Sequence, residues 1–231
     1  IKSFCQYFFA GDWWGHQSSG KVHTAEEKDL NREIDAILDL SDKVDSMMGI
    51  NELMAIEGNI RDWYYSAFDK IIDNEYFEFY KRTKQPPKNR LNSLISFGNS
   101  ILYTIVLSEI YKTHLDPRIG YLHTTNHRRF TLNLDVAEIF KPIIVDRTIF
   151  TLIGRKMLNE KHFEDKAGGV VLNESGRKQF INQLNDKLGS TLMYKPLGRE
   201  VSYRRLIRLE LYKLEKHLMG EQDYVPYIAS W

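Results

Sequence analysis

The chain has 231 residues and a mass of 27.2 kDa, with 42% hydrophobic and 27% charged residues; this supplies a packed core and excludes a disordered tail or a fibrous repeat. A single cysteine, Cys5, excludes a disulfide framework and a cysteine-built zinc site, and no apolar run longer than four residues marks a membrane span. The net charge of +1 hides an asymmetry: residues 24–78 carry fifteen acids against five bases, whereas residues 79–231 carry twenty-five bases against fifteen acids. Such a chain is either two halves of opposite charge or a protein with one face for a polyanion. No secretory leader opens the sequence, so an intracellular, cytoplasmic protein is expected.

The elements are predominantly helical. Residues 1–23 resist assignment, and residues 24–231 read as one helical domain. Thr24 with Glu27 predicts a capping box, followed by Ile34, Ile37, Leu38, Val44 and Met47 at helical spacing. Asn51 is placed to cap a second helix ending near Ile72. The loop Lys81–Arg90 holds five basic residues, no acid, and Pro86–Pro87. Asn92 to about Lys112 is apolar on most sides, the mark of a central core helix. His114–Phe130 reads as a loop, and Leu132 to about Leu158 as a helix that Pro142 kinks or divides. Ser175–Leu188 and Ser202–Met219 are two more helices, the last closed by Gly220. Strand signals are confined to Gly169–Leu172 and Phe130–Leu134. The expected fold class is all-α, with any functional site between helices.

Three features depart from an ordinary core. On the helix from Asn51, Glu57 lies within about 40° of Leu53, with Ile60 and Tyr64 beside it. A carboxylate on an apolar face is costly unless it is paired, with Arg61 one turn on as a partner, or bound to a metal. The adjacent Gly58 predicts close approach of another backbone. Asp135 and Glu138 share one side of a helix at i, i+3 spacing, where two like charges repel unless a cation lies between them, the alternative being a solvated face. His123 and His127 lie on the loop entering that helix, and spacing alone does not choose between them. A glutamate, a histidine and a further carboxylate form a hard donor set suited to Mg²⁺ or Mn²⁺ with open positions for water and phosphate. Neither a glycine-rich phosphate loop nor a serine-nucleophile motif is present. Arg118 and His123 have a spacing found in metal-independent helical ribonucleases, a weaker reading that leaves Glu57 unexplained.

Several stretches resemble one family: 54-MAIEGNIR-61, 86-PPKNRLNSLISFGN-99, 115-LDPRIGYLH-123, 130-FTLNLDVAEIFKP-142, 171-VLNESGR-177 and 206-LIRLELYKLEKH-217. They are similar to the CRISPR-associated Cas-one proteins, the metal-dependent DNA endonucleases and integrases of spacer acquisition in antiviral defense, over roughly residues 24–225. The resemblance implies a hydrolase and strand-transfer enzyme that inserts spacer DNA, with Glu57, His123 and Glu138 as ligands of Mg²⁺ or Mn²⁺. It implies that Asp135 assists the site and that Lys141 lies against a DNA phosphate. It chooses His123 over His127. Its implied partners are spacer-precursor and CRISPR-repeat DNA, a second copy of the chain, and the small protein Cas-two, with no membrane. Family members begin with a β-rich domain that builds the homodimer; this chain is expected to lack most of it, which bears on both protein partners. Lys84 and Lys88 of the basic loop, with Arg204, Arg208 and the neighbouring Arg205, are the candidate DNA-binding residues. A DNA-binding fragment without turnover is the main alternative.

Overall fold

A computed structural model of the chain describes residues 30–46, 49–123 and 129–229. The Thr24–Glu27 capping box, Cys5, Met47, His127 and the segment 1–23 lie outside the described residues. The chain divides into two units, Ile1–Arg82 with Ile228–Trp231, and Thr83–Tyr227. The division falls four residues beyond the change from acidic to basic composition.

In the first unit, α1 (Asn31–Asp42) packs on α2 (Ile50–Ile72). Gly49, not Asn51, is the residue before α2, so the helix starts two residues earlier than its predicted cap implies. The buried face of α2 is Ile56, Ile60, Tyr64, Ala67 and Phe68, with Leu53 and Ile71 at its half-buried margins. Tyr64, Tyr65, Phe68 and Phe79 meet ring to ring at 5.2–5.7 Å. Glu33 of α1 is buried, and Lys70 of α2 reaches it at 2.8 Å.

The second unit is built around α3 (Arg90–Ile110). Asn89 caps it by accepting a hydrogen bond from the Asn92 amide at 2.8 Å. Around it pack α4 (Leu132–Phe140), the wide turn Lys141–Asp146, strand β2 (Gly169–Leu172) and the last helix α7 (Tyr203–Leu218). Leu91, Leu94, Ile95, Leu102, Val106 and Ile110 of α3 are all fully buried. By length and composition α3 could cross a membrane, with a mean hydropathy of 1.3 over eighteen residues. Serines, asparagines and threonines interrupt its apolar runs, so run length alone concealed this. More than half of that window is buried within the protein, as in a core helix.

Pro142 divides the predicted long helix. Residues 141–146 wind as a π-helix, and α5 (Arg147–Gly154) continues beyond it. The chain is not purely α-helical. Strands β1 (Phe163–Lys166) and β2 form an antiparallel hairpin, and β3 (Thr191–Tyr194) and β4 (Arg199–Ser202) form another on either side of α6 (Glu174–Gly189) and before α7. The Gly169–Leu172 strand signal is realised as β2. The Phe130–Leu134 signal is not, because Leu132 already opens α4, with Leu134 buried on a helix. Gly220, at φ 73°, follows the end of α7.

Gly98 marks the tightest crossing of α3. A Cβ there would lie 2.5 Å from Val145 Cγ1 in the π-turn and 2.8 Å from Phe180 Cζ on α6. Gly98→Ala should therefore destabilise the protein by about 1–3 kcal/mol, read as a lower urea midpoint; an unchanged midpoint would show that the crossing has slack.

Candidate active site

Asp135 stands in the first turn of α4, where a negative charge is favoured by the helix dipole. The preceding loop wraps over this helix end. Thr131 and Leu132 donate their amides to the Pro117 carbonyl at 3.0 and 3.1 Å, and the Thr131 hydroxyl donates to the Arg118 carbonyl at 2.8 Å. The chain is thereby folded back so that residues 121–123 face the Asp135 carboxylate. Oδ2 accepts the amides of Tyr121 at 2.5 Å and Leu122 at 3.2 Å; Oδ1 accepts the amide of His123 at 3.1 Å and lies 2.6 Å from His123 Nδ1. The His123 side chain is 26% exposed and that of Asp135 11%, so the ring borders solvent while its anchor is screened.

Glu138, three residues on, has a different partner. Lys141 Nζ lies 2.5 Å from its Oε1. Lys141 is buried, a rare state for lysine, and its ammonium lies 5.0 Å from the centroid of the Tyr103 ring on α3. Asp135 and Glu138 thus have different protein partners. One serves a peptide turn, the other a lysine.

Glu57, in the first unit, is 19% exposed and forms an i, i+4 ion pair with Arg61. This is the partner that the sequence offered as the alternative to a metal. The expected close approach at Gly58 is absent: a Cβ there meets nothing within 4 Å among the described residues. No group of three His, Cys, Asp or Glu side chains stands ready-made for a metal among the described residues. The chemistry of the donor set nevertheless fits a hard divalent cation. Histidines that bind metals commonly hold their second ring nitrogen against a carboxylate, and His123 does this through Nδ1. Arg118 forks Asp116 at 2.6–3.1 Å, which holds the Asp116 carboxyl down at about 2.

The basic candidates divide by how far they are already engaged. Lys84 is exposed. Lys88 donates to the Gly168 carbonyl at 2.9 Å, and the Val170 amide donates to the Pro87 carbonyl at 2.8 Å, so the loop from Thr83 onward is fastened to the β1–β2 hairpin. Arg208 meets fully buried Glu109 at 2.6 Å, Lys112 meets it at 2.6 Å, and Arg204 stands 3.9 Å away and 43% exposed. Burial pushes the Glu109 carboxyl up, but hydrogen bonds from Lys112 and Arg208, with their charges, outweigh it and hold the group below its ordinary value.

Sequence reading missed Tyr103, Gly120 and Thr131. Gly120 left a signal: it punctuates the predicted loop three residues before His123. A Cβ there would lie 2.8 Å from both Asp135 Oδ2 and Thr131 Oγ1.

Fold and site together define a helical protein with a carboxylate-anchored histidine, a second carboxylate paired to a buried lysine, and basic outer surfaces. Residues 16–186 match the family described as "CRISPR associated protein Cas1". The chain is 57% identical over 204 residues to a "CRISPR-associated endonuclease Cas1 2" of Thermodesulfovibrio yellowstonii, covering 88% of this chain and 62% of that one. It superposes on a CAS1 protein from Thermotoga maritima with a TM-score of 0.80 at 45% identity, covering 96% of this chain and 63% of that one. A chain of a Cas6-RT-Cas1–Cas2 complex, 17% identical, matches all of this chain and 24% of its own length with a TM-score of 0.81, which shows shared fold alone. The chain belongs to the Cas1 (Cas-one) family. It spans just over three fifths of the length of the curated relative and of the Thermotoga structure.

The two arginines separate structure from surface. Arg208→Ala should cost about 2–4 kcal/mol by leaving a buried carboxylate short of a cation, whereas Arg204→Ala should cost under about 1 kcal/mol. Because the Glu109 value is lowered in the fold, its contribution is complete above about pH 4.5 and is lost as pH falls through the folded value. Acid titration of the urea midpoint should show wild type losing this increment and Glu109→Gln lacking it; parallel curves would contradict the assignment.

Proposed function

We propose that this chain is the catalytic part of a Cas1 integrase, which cuts and joins DNA phosphodiesters with a bound Mg²⁺ or Mn²⁺. The carrying observation is His123, held through Nδ1 by Asp135 three residues before Glu138 on α4, in a chain whose relatives are named endonucleases. His123 and Glu138 would hold the ion. When bound, it supplies Lewis-acid polarisation of a phosphoryl oxygen and activation of a hydroxyl nucleophile.

This chain's own residues do the rest. Arg61 holds Glu57 and Lys141 holds Glu138, and a bound ion would take the place of Lys141 at Glu138. Lys141, released from Glu138, reaches a non-bridging phosphate oxygen where negative charge develops. A DNA 3′-hydroxyl attacks the phosphorus at a repeat end; the new P–O bond forms as the strand's own bridging bond breaks, and the departing oxygen takes a proton. With water as nucleophile the same exchange is cleavage. Lys84 and Arg204 hold the duplex by salt-sensitive phosphate contacts, with Lys88 and Arg208 behind them. A second copy of the chain and a Cas2 partner complete the assembly; the Cas6-RT-Cas1–Cas2 likeness in fold supports the latter. The setting is cytoplasmic.

Cleavage and strand transfer of labelled duplex should stop in EDTA and return with Mn²⁺ or Mg²⁺. His123→Ala and Glu138→Ala should each lower turnover on the order of 10²-fold or more while the circular dichroism spectrum is unchanged. Turnover that survives EDTA would overturn the metal-dependent reading, and metal-insensitive DNA binding without turnover would favour a binding fragment. Lys141→Ala should lower turnover by about 10²-fold with Mn²⁺ affinity unchanged or raised, because a competing cation is gone; wild-type turnover at saturating metal and DNA would reduce Lys141 to a structural role.

A further inference from the structure

Asp135 has no carboxylate capacity left for a metal. Its two oxygens already receive four N–H groups: the amides of Tyr121, Leu122 and His123, and the ring nitrogen His123 Nδ1. A carboxylate offers about four lone-pair directions, so this one is filled by the turn that it organises. An ionised carboxylate only accepts, so the Nδ1 at 2.6 Å must carry the proton in the neutral ring. The other nitrogen, Nε2, then carries the lone pair and makes no hydrogen bond among the described residues.

We infer that Asp135 is a positioning residue: it fixes His123 as the Nδ1–H tautomer and aims Nε2 outward as the one ligating atom, without touching the metal itself. Three backbone donors hold the carboxylate in place, so it does not follow the ring if the ring turns. Gly120 belongs to the same device. Its missing Cβ leaves room for Oδ2 and for the Thr131 hydroxyl, which ties the loop back to the Arg118 carbonyl. The inference rests on the metal-dependent reading for its purpose, but its tautomer claim stands on hydrogen-bond geometry alone.

Asparagine at 135 separates the possibilities. It has one accepting oxygen where aspartate has two, so its NH₂ must face either the Tyr121 and Leu122 amides or the ring. Facing Oδ2's partners the NH₂ would oppose two amides, facing Oδ1's it opposes one amide and a ring nitrogen that can change role, so the NH₂ turns to His123 and Nδ1 must become the acceptor. The ring then changes to the Nε2–H tautomer, which has no lone pair facing outward. The experiment is ¹⁵N NMR of ring-labelled, metal-free 231-residue chain in neutral-imidazole conditions, paired with Mn²⁺ titration followed by electron paramagnetic resonance. Wild type should show His123 protonated at Nδ1. Asp135→Asn should shift the proton to Nε2 and weaken Mn²⁺ binding about 10–100-fold, and Asp135→Glu should restore the wild-type tautomer. If Asp135→Asn does not fold, Gly120→Ala reads the same contact, because the added methyl pushes the turn off the carboxylate and should leave a mixture of tautomers.

The inference is overturned if wild type carries the proton on Nε2, or if the tautomer in Asp135→Asn is unchanged. It is equally overturned if Mn²⁺ affinity falls with no change of tautomer, since Asp135 would then be a ligand. A wild-type chain that binds no Mn²⁺ yet shows the tautomer change would uphold the positioning role and sink the metal-dependent reading instead.

Discussion

Helix α3 presents apolar side chains on nearly every side, and a cylinder of that kind must be enclosed before the larger unit has any stability. Only Arg90 and Glu109, near its two ends, carry charge. The enclosure sets the position of everything functional. α4 and the π-turn pack on one flank, α7 on another, and Gly98 lets the π-turn and α6 come within side-chain contact of the helix backbone. The wide turn at Lys141–Asp146 follows from the same demand. Pro142 breaks the regular ladder, and the extra width lets Lys141 point inward toward Tyr103 while the chain stays packed.

Four buried or half-buried acids among the described residues each have their own donors. Asp135 has a peptide turn, Glu138 a lysine, Glu57 an arginine, and Glu109 a lysine and an arginine together. The arrangement holds the Glu109 carboxyl below its ordinary value against the opposing effect of burial. It also divides the acids into two kinds. Glu109 and Asp135 are locked by several short contacts from different segments. Glu57 and Glu138 are each held by a long cation from their own stretch of chain.

Much of this was legible beforehand, and for identifiable reasons. Helices α2, α3, α6 and α7 announce themselves by apolar periodicity and by caps or glycine stops, and their observed ends fall within about two residues of those signals. The anomaly of Glu57 was also visible, because one helix face sufficed to find it. What could not be read was which partner each acid takes. The i, i+3 spacing of Asp135 and Glu138 describes a helix surface, whereas their actual partners come from a loop twelve to fourteen residues upstream and from the π-turn beyond. The hairpin β1–β2 escaped in part because its first strand is Phe163–Lys166, three charged residues in four, exposed throughout most of its length. The two candidate arginines looked equivalent on one helix face; only Glu109, ninety-nine residues before Arg208, tells them apart.

The apolar girdle around α3 carries a cost during synthesis. The helix leaves the ribosome well before α4, α6 and α7, the elements that cover it, have been made. Until α7 emerges, a segment of membrane-like hydropathy is a nascent-chain hazard, attractive to chaperones, to lipid and to other copies of itself. The order of elements along the chain thus ties the cover of α3 to a later helix: a chain stopped short of α7 leaves one flank of α3 bare, and making α7 covers it.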